Sequence, residues 1–113
     1  DGAVQDRLGR LSASVEALSA LVYANISRWS RQSERVSDGP MAKLLFSELG
    51  VEIARMGLEL CGEAGILVEG DVGAVDHGRW QDEFLYARAY TIAGGSSEIM
   101  RNIIAERGLR MPR

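Results

Sequence analysis

One cysteine, one histidine and two prolines are all that 113 residues contain of these types. Cys61 alone can close no internal disulfide, and a single thiol builds no metal cluster. His77 sits beside Gly78 with no second histidine and no nearby cysteine, so it reads as a solvated loop residue and not as a metal ligand. Pro40 and Pro112 both lie outside the strongest periodic runs, which suits a helical protein. A basic excess is also missing. The net charge of -3 and pI near 5.1 argue against a nucleic-acid or anionic-membrane surface. No apolar run approaches the roughly 20 residues that span a bilayer. The N-terminus carries no signal-peptide pattern. Nothing reads as a β-hairpin, a low-complexity segment or an internal repeat.

What remains is an ordinary globular composition, 46% hydrophobic and 26% charged. The length suits one domain spanning 1–113. Such a chain buries roughly two thirds of the surface it would expose unfolded, enough for a single core. It opens on Asp1 and not on Met, as a fragment or processed product would.

The periodicity is helical. From Ala3 to about Ser33, Val4, Leu8, Leu11, Val15, Leu18, Val22 and Trp29 recur at steps of three and four along one stripe. Leu21, Tyr23 and Ile26 widen that stripe. Asn25 falls where the next apolar residue is due. A lone Asn in a seam can fix pairing register, although a locally rotated or exposed position accounts for it more simply. A helix of this length, roughly 45 Å, needs partners along its course, either other helices of the chain or a second subunit. Ser37-Asp38-Gly39-Pro40 breaks the pattern with turn chemistry.

A second helix is expected from about Met41 to Cys61, with Leu45, Leu49, Ile53, Met56 and Leu60 on one face. Its small residues Ala42, Gly50, Ala54 and Gly57 permit close helix approach. Gly50 and Gly57 each weaken the helix by about 1 kcal/mol relative to Ala, so packing must compensate. Residues 62–78 form a glycine-rich loop, entered at Gly62 where a helix commonly stops in the left-handed region. A third helix is expected from Arg79 to about Thr91, with Trp80, Phe84, Ala87 and Thr91 on a shared face as core or subunit contact. Four helices with short connections make an all-α, antiparallel up-and-down four-helix bundle.

The most informative stretch is Tyr90 to Arg107. Gly94-Gly95-Ser96-Ser97 interrupts an apolar run, and a fourth helix then starts at Ser96 or Ser97, with Ile99, Ile103 and Ile104 on one side, and runs to about Arg107, where Gly108 and Pro112 stop it. First-turn amides lack intrahelical partners and carry partial positive charge, so a phosphate or carbonyl oxygen can seat there. An ordinary capped surface helix uses the same residues.

This stretch, Ile92-Ala93-Gly94-Gly95-Ser96-Ser97-Glu98-Ile99-Met100-Arg101-Asn102-Ile103-Ile104-Ala105-Glu106-Arg107 with Leu109 and a closing Met111-Pro112-Arg113, resembles the C-terminal signature of the acyl-CoA dehydrogenase family. The resemblance is specific in the last 25 or so residues and one of helical pattern in the first sixty. It implies most of a C-terminal helical bundle, without that bundle's first helix, the N-terminal helical domain and the β-barrel that precede it in family members. It also implies a flavoenzyme that desaturates an acyl-CoA thioester. A carboxylate takes the α-proton while hydride leaves the β-carbon for N5 of FAD.

On the same resemblance, Gly94 stands where many members carry the catalytic Glu. No catalytic side chain is then expected here. The base lies elsewhere in the full-length protein, or in the other chain type of a mixed assembly. The backbone N–H of Gly94 is expected to meet the thioester carbonyl, with Gly95 also at the substrate. Ser96, in place of the usual Thr, and Glu98 are expected at the flavin's ribityl and phosphate region. The adenine half is expected at the end of a neighbouring subunit's second helix, which here reads Glu59-Leu60-Cys61-Gly62-Glu63. Glu59 and Glu63 replace a Gln and a Gly there, placing two carboxylates where pyrophosphate approaches, unfavourable unless a basic partner intervenes. Leu85-Tyr86 replaces a common Arg-Asp pair. No metal is expected. The implied partners are acyl-CoA and a homo- or hetero-oligomer, dimer or tetramer, formed through the bundle. The implied setting is fatty acid metabolism in the cytoplasm, or the mitochondrial matrix in a eukaryote. The alternative is a non-catalytic structural subunit of a mixed assembly.

Overall fold

A computed structural model describes residues 1–112; Arg113, which closes the resembling stretch, lies outside the described residues. The described chain is all-α, and none of its helices is long and apolar enough to cross a membrane.

Helix α1 covers Gly2–Ser30, and Asp1 caps it by accepting the Ala3 N–H at 3.0 Å. It stops three residues earlier than its periodicity predicts. Gln32 enters the left-handed region at φ 53, turning the chain out of the helix. Helix α2, Asp38–Leu60, starts three residues earlier than expected. The predicted breaker is absorbed into its first turn, where Asp38 complements the helix dipole and Pro40 needs no N–H partner.

Helix α2 is the hub. Arg7 pairs with Glu59 near one end of the α1–α2 seam and Arg28 with Asp38 near the other, so these helices are antiparallel. Helix α3, Arg79–Tyr90, also runs antiparallel to α2, with Trp80 against Gly57 and Tyr90 against Phe46. A Cβ at Gly57 would lie 2.0 Å from the Trp80 ring. The glycine is therefore a contact surface for an indole, and packing offsets its helix cost. At Gly50 the same Cβ would meet nothing, so no packing offsets the cost there.

Helix α4, Ser97–Ile103, runs parallel to α2, since Gly95 lies by Lys43 and Arg101 by Glu48. It does not continue to Arg107 as a regular helix. Residues Ile104–Gly108 widen into a π turn in which the Leu109 N–H reaches back to Ile104 O at 2.9 Å. The 62–78 loop contains two 3-10 turns, Gly62–Ile66 and Val75–Gly78.

The core is thin: Ala54, Met56, Ala87 and Met100 are its buried apolar residues. Helix α1 buries none of its residues, and its stripe stays partly bare, with Leu8 49% and Ile26 51% exposed. Asn25 is not simply exposed. Its amide donates to the Asp38 carbonyl at 2.9 Å and its carbonyl accepts from Arg28, so it does set the register of α1 on α2.

Candidate functional site

The turn between α3 and α4 is built by backbone bonds. The Ile92 and Ala93 N–H groups both donate to Ala89 O, and the Gly95 N–H donates to Ile92 O at 3.2 Å. Gly94 and Gly95 take φ 72 and 115, values at which a Cβ is costly. The two differ in surroundings. A side chain at Gly94 would meet nothing within 4 Å, whereas a Cβ at Gly95 would lie 2.5 Å from Met100 Cε. Among the described residues the Gly94 N–H has no acceptor, and Gly94 itself is exposed.

The start of α4 is less available than its sequence suggests. Ser96 caps it, accepting the Ile99 N–H at 3.4 Å, and Ser96 O receives the Met100 N–H at 2.9 Å. The exposed Glu98 carboxyl sits below its ordinary range, held first by its own backbone N–H and then by the Ser96 hydroxyl. These groups use the helix's own donors. Seven residues also make a weak dipole. The open donor is Gly94, three residues before the first residue of the helix.

Beside this turn, Glu48, Glu52, Arg88, Thr91, Ser97, Glu98 and Arg101 line an open cleft of about 420 Å³. Arg101 is tied to Glu48. Behind the turn, Lys43 of α2 donates its ammonium to Gly95 O at 2.5 Å. Sequence reading passed over Lys43. A signal existed, since a lone cation in the second turn of a helix stands near the end where the dipole repels it.

The other predicted residues, Glu59, Gly62 and Glu63, gather at the opposite end of α2. Gly62 takes φ 55 and ends the helix. Glu59 accepts from Arg7 Nη1 at 2.6 Å and lies 3.4 Å from Arg55 Nε. Its carboxyl is lowered from the usual range, mainly by the Arg7 hydrogen bond. The basic partner that the sequence demanded is therefore present for Glu59. Glu63 is exposed and has no ion-pair partner among the described residues. From Lys43 to Glu59 the helix rises about 24 Å. One copy therefore keeps Gly94, Gly95, Ser96 and Glu98 together but holds Glu59, Gly62 and Glu63 well away from them.

An all-α bundle with α2 at its centre and a double-glycine turn at one end is the fold class, and similarity in sequence gives the family. Residues 1–109 match the C-terminal domain of acyl-CoA dehydrogenases. The chain belongs to the acyl-CoA dehydrogenase family. It is 34% identical over 113 residues to acyl-CoA dehydrogenase IpdE1 of Mycolicibacterium smegmatis, covering 100% of this chain and 26% of that protein. It superimposes on a chain of the ChsE4-ChsE5 complex from Mycobacterium tuberculosis with a TM-score of 0.86 and 31% identity, covering 97% of this chain and 28% of that one. Against the Tcur3481-Tcur3483 steroid ACAD the TM-score is 0.91 at 26% identity, covering 100% of this chain and 29% of that one. The chain thus spans just over a quarter of the length of these relatives.

Proposed function

We propose that residues 1–113 are the C-terminal helical domain of an FAD-dependent acyl-CoA dehydrogenase, which desaturates a thioester between its α and β carbons. The carrying observation is the Gly94 N–H, a donor without an acceptor among the described residues, on an exposed turn with open space where a Cβ would stand. As the α-proton leaves, negative charge develops on the thioester oxygen. A donor already aimed at that oxygen lowers the barrier because it needs no reorganisation. Glycine supplies no base, so the proton goes to a carboxylate elsewhere in the full-length protein or its partner chain. Gly95 lets the turn sit close against α4, since a Cβ there would lie 2.5 Å from Met100 Cε.

The residues suit a flavin at one end and suit it less well at the other. Glu98 offers an ionised acceptor, held by the Ser96 hydroxyl, which suits ribityl hydroxyls and not phosphate. Bound flavin supplies the acceptor for the β-hydride. At the far end of α2, Gly62 leaves the backbone open and Arg7 with Arg55 offsets Glu59, while Glu63, without an ion-pair partner among the described residues, opposes a diphosphate. Because these two ends lie far apart in one copy, the cofactor is shared between subunits. The bare apolar positions Leu8, Ile26 and Trp29 of α1 support assembly. The names of two relatives join two proteins, which makes a hetero-oligomer a natural arrangement here. One of those names specifies a steroid, so the acyl group belongs in a test set that includes steroid-bearing as well as straight-chain thioesters.

The test is to purify the full-length protein, alone and with a co-expressed partner, and record its visible spectrum before and after adding acyl-CoA thioesters. A flavin spectrum that bleaches with one of them is expected. A second reading is a structural subunit that binds no flavin of its own, favoured by the exposed Glu63 carboxylate, which has no ion-pair partner among the described residues. It predicts colourless protein that turns yellow only in the partner's company, with every flavin contact on the partner. A full-length protein that binds no flavin in either state sinks both.

A further inference from the structure

Lys43 is the one lysine in the chain, against twelve arginines. It projects from α2 to the α3–α4 turn, 52 residues away, and donates to Gly95 O at 2.5 Å in a partly buried setting. No carboxylate pairs with it among the described residues. An ammonium left without a counter-ion, in a protein that otherwise uses Arg for its ion pairs, is placed for something other than a salt bridge. A compact point donor fits a single carbonyl where a planar guanidinium fork would not.

The bond matters because of which peptide units it leaves free. The Ala93 N–H bond to Ala89 O fixes the peptide before residue 93. The Gly95 N–H bond to Ile92 O fixes the peptide between 94 and 95. Two consecutive glycines at positive φ would otherwise let this turn flip among several conformations. Lys43 fixes the next peptide, between Gly95 and Ser96, from the inner side. The 93–94 peptide, which carries the Gly94 N–H, has no such bond and is flanked by the two that the backbone fixes. Lys43 anchors the unit after them, where the turn passes into α4. Among the described residues no carboxylate neutralises this ammonium, so its charge adds positive potential at the turn.

We propose that Lys43 is a positioning residue for the Gly94 donor: it locks the double-glycine turn from behind and adds positive potential where the thioester oxygen gains charge. This rests on the acyl-CoA dehydrogenase reading above. In the full-length flavoprotein, Lys43→Met removes donor and charge, whereas Lys43→Gln keeps an N–H donor on a similar stem. With the Met variant, kcat falls roughly ten- to a hundredfold while KM stays within about twofold, the pattern of a loss felt mainly in the transition state. Hydrogen exchange of the segment 92–100 accelerates, while exchange in α1 and α2 is unchanged. The Gln variant regains the exchange protection but keeps most of the kcat loss. Wild-type turnover in the Met variant, or unaltered exchange of 92–100, overturns the proposal. Should the Met variant not fold, a Gln variant with full kcat overturns it equally. A wild-type protein that bleaches with no thioester defeats the functional reading instead, and exchange then decides the lock by itself.

Discussion

Arg28 grips Asp38 with two nitrogens, Nη2 to Oδ1 at 2.7 Å and Nε to Oδ2 at 2.9 Å. The Arg35 N–H adds a third bond to the same carboxylate at 2.9 Å, and Asn25 donates to the Asp38 carbonyl. This cluster closes the α1–α2 connection, and Asp38 is 8% exposed. The hydrogen bond from Arg28 holds the Asp38 carboxyl below its ordinary value, with Arg35 contributing and burial opposing.

Asp38→Ala should therefore destabilise the protein by about 1–3 kcal/mol, because it removes three bonds to the carboxylate and leaves the half-buried Arg28 guanidinium without its partner. The pH dependence has a fixed sign. A lowered folded value means that the ionised form stabilises the fold above the unfolded carboxylate value of about 4, and that this stabilisation drains away as pH falls through the lower folded value. Urea titrations stepped downward in pH should show a steeper acid loss in wild type than in the Asp38→Asn variant. Parallel acid limbs would refute the assignment.

Two glycines of one helix should respond oppositely to the same change. Gly57→Ala drives a methyl into the Trp80 ring and should cost about 1–3 kcal/mol or more, as overpacking does. Gly50→Ala meets open space and removes backbone freedom from the unfolded chain, so it should stabilise by about 0.5–1 kcal/mol. Thermal midpoints of the two variants against wild type measure both. Equal shifts would mean that α3 does not pack on α2 through this contact.

The signature turn admits a similar contrast. Gly95→Ala combines φ 115 with a 2.5 Å clash against Met100, so it should disturb the turn and with it flavin reduction by thioester. Gly94→Ala faces only the backbone cost of the left-handed region, about 1–2 kcal/mol, with no clash. Its N–H survives the change. Flavin reduction rates should rank wild type, then Gly94→Ala, then Gly95→Ala. A reversal of the last two would show that the space in front of Gly94, and not the shape of the turn, is what the reaction requires.

These contrasts show how far the residues speak for themselves. Three-and-four spacing is a local property, so all four helices were legible from Val4, Leu45, Trp80 and Ile99 and their successors. Their ends were less so, because Gln32 turning left-handed and Asp38 joining a helix depend on the polar cluster across the connection. The signature turn stood out by composition. The Lys43 bond to Gly95 O joins residues 52 apart and leaves no periodic trace. The same is true of Arg7, which reaches Glu59 from the far helix and turns an isolated carboxylate into half of an ion pair. Gly50 and Gly57 looked alike in sequence, and only the position of Trp80 separated them.

That ion pair gives the far end of α2 its own test. Glu59 is already offset by Arg7 and Arg55, whereas Glu63 has no such partner among the described residues. If this end receives the diphosphate of a cofactor shared with a neighbouring subunit, Glu63→Gln should tighten flavin retention by about threefold at low salt, the effect of one exposed charge. Glu59→Gln should change it less, since the substitution leaves two arginines with one fewer anion but disrupts their placement. Raising ionic strength to about 0.5 M should erase the Glu63 effect, because screening at that concentration acts within a few ångströms. Flavin dissociation followed by fluorescence in the full-length protein reads all three. Should neither carboxylate matter at any salt, the far end of α2 lies away from the cofactor, and the structural-subunit reading gains the ground that the shared-cofactor reading loses.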